Sequence, residues 1–363
     1  MLTCLNSLGG MRLFNEVVKD VMKAVKHEKT LRVPVALWDL APWMPSMAGV
    51  NCLDYYRNVD IKLQVQMKMQ EYFPEAILFP GIHPDFGVII EASAMGCPIQ
   101  WLDDDAPFAH KCLEKPEDVL KLKVVDPQND GLMPQVLKEY KYMRQACDKK
   151  LLTDYGYIEG HAFSMGPAEI AALMRGYDGL FYDFYDCPEL VHKLLTILTE
   201  SIIKWLRAQE KVNGQIKRLF IADHLSSELS PSLYKEYFFP YMKQIFTEFS
   251  YAEIRLWHNE GRSEHIFQFI PDMGCNIYQF GADPIEKIKA SIGHKICLMG
   301  NLHSVKEIRN ASKEEIKNYA LDRLEIGAEG GGYILSGAGG LAPGTTKEKV
   351  RALIEATFIY QNN

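Results

Sequence analysis

Eight short apolar runs, separated by longer stretches with helical periodicity, constrain this chain more than any other feature. They occupy residues 33–38, 76–79, 151–158, 219–222, 254–257, 276–280, 296–299 and 333–336. Runs this short, rich in β-branched and aromatic residues, read as strands buried on both faces, which is the pattern of a parallel sheet. The segments between them are mostly long enough for a crossover helix. Helical spacing is clear at 168–175, 188–212, 230–249, 284–291, 304–327 and 346–360. Start signals precede several of these, as in Ser230-Pro231 and Asp186-Cys187-Pro188, where proline sits in the first turn. Eight strands with helical crossovers predict an α/β fold, a closed (β/α)8 TIM barrel, rather than an open sheet. An amphipathic helix over 13–26 is expected as an N-terminal extension. The stretch 87–125 interrupts the alternation and is expected to be an excursion over the barrel mouth. Barrels of this class run to 250 residues or more, so the whole of 1–363 reads as one domain.

Composition excludes several functions. A net charge of −7, with no run of lysine and arginine interleaved with aromatics, gives no footprint for nucleic acid. Charges interrupt every apolar stretch well short of a membrane span, and the N-terminus lacks the apolar core of a signal peptide, so a cytoplasmic protein without a membrane partner is expected. The eight cysteines are scattered without a CxxC, as expected of reduced thiols. No GxGxxG opens a helix after the first strand, and neither a P-loop nor a GxSxG elbow occurs.

In a barrel of this kind chemistry sits at the C-terminal ends of the strands. The run 219–222 ends in Asp223-His224, 254–257 ends in His258-Asn259-Glu260, and 296–299 leads to Asn301. After 151–158 comes Glu159-Gly160-His161. His258 and Glu260 are two apart, so on an extended strand they share a side and can hold one ligand or metal, with His224 or His161 completing the set. Each residue also has a structural reading: a strand-end aspartate caps helices, and a histidine is often hydrogen-bonded framework. His258, Glu260, Asp223 and Asn301 are the expected catalytic group. Trp38, Trp43, His161, His224 and Asn259 are expected to line the substrate pocket, with core packing the alternative for Trp38, Trp43, Tyr55 and Tyr56. The glycine runs 330–332 and 337–340 read as tight turns around the last strand.

Gly166-Pro167, Asp183-x-x-Asp186-x-Pro188-Glu189, Ala222-Asp223-His224, Leu229-Ser230-Pro231, Pro240-Tyr241, His258, Met299-Gly300-Asn301 and Leu335-Ser336-Gly337 come in an order that resembles the uroporphyrinogen decarboxylase superfamily. That superfamily comprises heme-pathway decarboxylases and corrinoid-dependent methyltransferases on a (β/α)8 barrel. The decarboxylases carry an arginine-rich signature near the first strand that clamps substrate carboxylates. The matching region here, Trp38-Asp39-Leu40-Ala41-Pro42-Trp43, has no arginine, which fits a small substrate of low charge better than a porphyrinogen. The methylcobalamin:thiol methyltransferases bind zinc through His-x-Cys and a second cysteine near the C-terminus. Here those positions read His258-Asn259-Glu260 and Ala338, so the resemblance implies oxygen chemistry in place of thiolate chemistry.

The resemblance therefore implies a first-stage methyltransferase of O-demethylation. It would pass a methyl group from a small methoxylated, aromatic substrate to the Co(I) corrinoid (cobalamin) of a partner protein, with zinc held by His258 and Glu260. A decarboxylase of a small acid and a methylcobalamin:thiol methyltransferase are the alternatives, and the resemblance leaves room for a homodimer.

Overall fold

Strands that are buried on both faces must satisfy their backbone groups from neighbours in the sheet, and this decides where the apolar runs go. The computed structural model describes residues 6–38, 42–79, 81–147 and 160–362, with only the backbone of 6–15. Eight strands form one parallel sheet: β1 (Val35–Trp38), β2 (Ile77–Phe79), β3 (His161–Met165), β4 (Arg218–Ala222), β5 (Ile254–Asn259), β6 (Ile277–Phe280), β7 (Cys297–Leu302) and β8 (Tyr333–Gly337). Hydrogen bonds link them in the order β2-β1-β8-β7-β6-β5-β4-β3. The sheet curls until its two ends face one another: Phe79 on β2 lies 5.2 Å, ring to ring, from Phe220 on β4, and His83 lies 5.3 Å from His161. The architecture is thus an eight-stranded, curled parallel α/β sheet of the TIM-barrel type.

No backbone pairing joins β2 to β3 among the described residues, and two buried glutamines occupy that seam. Gln209 accepts from the Phe163 N–H (3.1 Å) and donates to the Phe163 carbonyl (2.9 Å), as a neighbouring peptide would. Past the end of β2, Gln66 does the same for His83, at 2.8 and 2.9 Å. Side-chain amides thus replace the missing ladder.

The third strand departs from expectation. The run 151–158 lies outside the described residues, and the strand forms at His161–Met165, where a loop was expected. Its polar residues are masked from water locally: His161 Nδ1 meets the Tyr140 hydroxyl at 3.1 Å, and the Ser164 hydroxyl donates to Glu91 at 2.8 Å. Helices form at all the expected stretches, and in two of them a π-helical segment intervenes, at Tyr234–Phe238 within 230–249 and at the start of 304–327. Residues 304–327 split into a π-helical turn, Ser304–Arg309, and the helix Lys313–Gly327. Ser312 and Glu315 form a capping box that restarts the chain there. The helix Asn6–Val25 precedes β1. Within 87–125 a small antiparallel ribbon pairs Ile99–Gln100 with Phe108–Ala109. No described helix is long and apolar enough to cross a membrane.

Glu91 offers a test of this packing. Its carboxyl is buried, and burial pushes its pKa up to about 7. A raised carboxyl pKa means that the folded state holds the proton more tightly than the unfolded chain. Its contribution is therefore most favourable below about pH 4.5 and is lost as pH rises through 7. Glu91→Gln should stabilise the protein increasingly from pH 5 to pH 8.5, by about 2–3 kcal/mol at the upper end. Denaturant unfolding of both proteins at the two pH values measures this, and a pH-independent difference would refute it.

Candidate active site

Successive residues of a strand face opposite sides, so register decides which polar groups at the strand ends can meet. Ala222 pairs with His258 and His258 with Gln279, which places His258 and Gln279 in the bore with Phe220 and Trp38. Two residues on, Glu260 returns to the same side. At the end of β4 the alternation turns Asp223 outward and brings His224 in, where its ring stands edge-on to His258 at 4.8 Å. His224, His258 and Glu260 each offer a ligand atom, all within 4.8 Å of one another.

Hydrogen bonds fix which atoms face the centre. The Gln279 amide N–H group donates to the carbonyls of Ala338 (2.9 Å), Phe280 and Gly337 (both 3.2 Å). Its oxygen must therefore point to His258 Nδ1, which donates to it and so carries the ring proton. His258 Nε2 is left with a lone pair, 3.3 Å from a Glu260 carboxylate oxygen. Two acceptors facing each other need a cation between them. Burial holds the His258 pKa below its usual value, although Glu260 works the other way, so a proton is disfavoured there.

His224 is held by a carboxylate instead. Glu169 accepts from the His224 backbone N–H at 2.9 Å and lies 3.5 Å from its Nδ1, while Tyr177 donates to the other Glu169 oxygen at 2.7 Å. Burial would lower the His224 pKa, but the hydrogen bond and charge of Glu169 outweigh it and raise it. Among the described residues, His224 Nε2 is buried without a hydrogen-bond partner. Two imidazole Nε2 atoms and one carboxylate, each imidazole oriented through Nδ1 by a second side chain, fit a divalent metal such as zinc with a further position open. The Glu260 side chain is 51% exposed, against 4% for His258, so the open side faces the mouth.

The other sequence-predicted residues are distributed differently. Trp38 stacks on His258 at 4.2 Å. Asp223 points away from these groups: its carboxylate accepts from the N–H groups of Ala168 (3.0 Å), Glu169 (3.1 Å) and Leu225 (3.2 Å), joining β4 to the helix Pro167–Arg175. A β-carbon at Gly166 would overlap that carboxylate, which accounts for the glycine. Asn259 faces outward, accepting from Ser227 (2.9 Å) and donating to Tyr278 (3.0 Å). Asn301 donates to the carbonyls of Gly281 (3.0 Å) and Asp283 (2.8 Å) and accepts from Arg323, so it ties the end of β7 to the loop after β6 and to the helix Lys313–Gly327. Trp43 is buried, with its N–H on the Thr345 carbonyl (3.2 Å) and its ring on Phe73, and is core rather than pocket wall. Tyr55 and Tyr56 are core as well. His161 begins β3 instead of following it, and Phe220 stands between it and Trp38, so His224, and not His161, lies with His258 and Glu260.

Sequence reasoning missed Gln279, Glu169 and Gly339. An amide inside the apolar run that Asn276 opens was the available signal for Gln279; Glu169 had none beyond being acidic in a first helical turn. Gly339 matters through space, because a β-carbon there would overlap the Glu260 carboxylate. Since a flexible side-chain end is what must move, Gly339→Ala should fold with a stability within about 1 kcal/mol of the parent. It should nevertheless bind zinc about tenfold or more weakly in a chelator competition. Unchanged affinity would show that Glu260 is not a ligand.

Comparison with known proteins agrees with this architecture. The family model for uroporphyrinogen decarboxylase (URO-D) matches residues 18–358. A uroporphyrinogen decarboxylase of Cellvibrio japonicus is 27% identical over 362 residues, covering 90% of this chain and 93% of the relative. A methylated-thiol–coenzyme M methyltransferase of Methanosarcina mazei is 23% identical over 302 residues, covering 82% and 77%. Among solved structures, a methyltransferase from Methanosarcina mazei superposes with a TM-score of 0.79 at 20% identity, covering 95% of this chain and 98% of the other. With the family model spanning nearly the whole barrel, this chain belongs to the uroporphyrinogen decarboxylase (URO-D) family.

Proposed function

We propose that the chain is a methyltransferase that takes a methyl group from the ether oxygen of a small methoxylated aromatic compound and delivers it to the Co(I) corrinoid of a partner protein. The observation that carries this reading is the convergence of His224, His258 and Glu260, whose ligand atoms lie within 4.8 Å of one another, an oxygen and nitrogen donor set without thiolate. Breaking the methyl–oxygen bond leaves a phenolate, a poor leaving group unless its oxygen meets an acid. Zinc held by these three groups would supply that acid as a Lewis centre. Gln279 and Glu169 keep the two Nε2 atoms aimed at one point, and Trp38, stacked on His258, offers a flat wall beside it. Residues 38–43 contain no arginine with which to clamp a polycarboxylate. The excursion at 87–125 follows β2, which puts it by topology on the mouth side, and we assign it the gating of access for a cofactor too bulky to be enclosed.

Glu260→Gln tests the assignment, because a neutral amide is a poorer zinc ligand than a carboxylate. Bound zinc and methyl transfer should fall in parallel, each about tenfold or more. Loss of transfer with unaltered zinc content would make Glu260 a proton donor instead. The reaction itself is decided by turnover with reduced cobalamin and a panel of methoxylated arenes. Formation of methylcobalamin is expected; release of carbon dioxide from a small acid, with no methylcobalamin formed, would establish the decarboxylase reading.

A further inference from the structure

Cys97 and Cys112 stand apart from the bore and play no part in the reaction proposed above. Their Sγ atoms lie 3.3 Å apart, and both cysteines are free thiols. They flank the ribbon: Ile99 pairs with Ala109, and the His110 N–H donates to the Pro98 carbonyl at 2.8 Å, which draws the two segments together at the ribbon's foot. A disulfide requires about 2.05 Å between sulfurs, so about 1.2 Å of closure separates the pair from a bond.

We propose that Cys97 and Cys112 form a thiol–disulfide modification site whose oxidant is a peroxide, and that its product is a staple across the foot of the ribbon. The two thiols are unequal. Cys97 is 5% exposed, whereas Cys112 is partly open to solvent. The Cys97 S–H donates to Cys112 sulfur, which holds the Cys112 pKa below and the Cys97 pKa above the usual thiol value. Cys112, the more open of the two, is thus the thiol that meets the oxidant, as its thiolate, and Cys97 resolves it. The Cys112 thiolate attacks one peroxide oxygen, the O–O bond breaks, and the departing hydroxide takes a proton to leave as water. The resulting sulfenic acid is attacked by Cys97 sulfur, the S–O bond breaks, and a second water leaves. Two thiols and one hydrogen peroxide become one disulfide and two waters, with the sulfurs losing two electrons.

The staple would act on a connected part of the molecule. The backbone N–H groups of Cys112 and Leu113 both donate to the Met174 carbonyl at 2.9 Å. Met174 lies on the helix Pro167–Arg175, whose first turn carries Glu169. At the other end of the ribbon, the Leu53 N–H donates to the Asp103 carbonyl at 3.2 Å, and Trp101 packs edge-on against Tyr56 and Phe86. Oxidation therefore ties down a segment wedged between two helices.

The test is mild hydrogen peroxide treatment of the reduced full chain, followed by intact mass and peptide mapping. Expected are a loss of two hydrogens, about 2 Da, and a linked pair of peptides containing Cys97 and Cys112 that separates on reduction. Cys97→Ser and Cys112→Ser should each abolish the linkage, and Cys187→Ser should preserve it. Trypsin should cut at Lys111 more slowly in the oxidised form. The wild-type map alone decides the matter: sulfinic acid at Cys112 with a free Cys97 thiol, or a linkage to any other cysteine, overturns the proposal. These readouts do not depend on what reaction the mouth performs.

Discussion

The two-residue alternation of a strand governs what can meet at the mouth of this sheet. Once Ala222, His258 and Gln279 lie side by side across three strands, the facing of every later residue follows. Asp223 must turn towards the helices when His224 turns inward, and Asn259 must do so between His258 and Glu260. A shift of one residue in any of these pairings would replace the imidazoles and carboxylate with an aspartate and an asparagine facing the wrong layer. The outward groups are the reason the shift does not occur. Asp223 collects three backbone N–H groups, and Asn259 is held between Ser227 and Tyr278. Framework residues thus lock the register on which the inward ones depend.

The two histidines reach the same centre with different support. Gln279 is neutral and anchored by backbone carbonyls, so it sets the tautomer of His258 without adding charge. Glu169 is a carboxylate, and it raises the basicity of His224 while pinning the start of the following 3-10 turn through the backbone. A centre with one amide-supported and one carboxylate-supported imidazole is electrostatically lopsided. Positive charge is favoured on the His224 side, and Glu260 is the member of the group most open to solvent.

How far the sequence discloses this depends on which interactions are local. Strands buried on both faces print as apolar runs, so seven of the eight runs overlap strands of the sheet. The remaining strand, β3, carries His161 and Ser164, whose partners Tyr140 and Glu91 are distant in sequence, and polarity there reads as loop. His258 and Glu260 were readable together because spacing by two on one strand puts them on one face. Asp223 and His224 were not separable, since adjacent residues at a strand end exchange roles with register. Asn301 is read as a catalytic candidate from its place at a strand end, and its hydrogen bonds to the preceding loop at Gly281 and Asp283 are invisible to that reading. Trp38 and Trp43 sit five residues apart and are divided by the start of a helix, which carries one into the core and leaves the other on His258.

The glutamines at the β2–β3 seam have a consequence beyond closing the fold. A strand edge with free N–H and C=O groups is a template on which other chains can add strands, and such additions begin cross-β aggregation. By presenting an amide that donates and accepts like a peptide, Gln209 spends the hydrogen-bonding capacity of Phe163 at the middle of the β3 edge, and Gln66 does so for His83 beyond β2. An incoming strand would find those positions already occupied. A sheet that stops short of a continuous hydrogen-bonded cylinder can in this way remain as self-contained as one that closes completely.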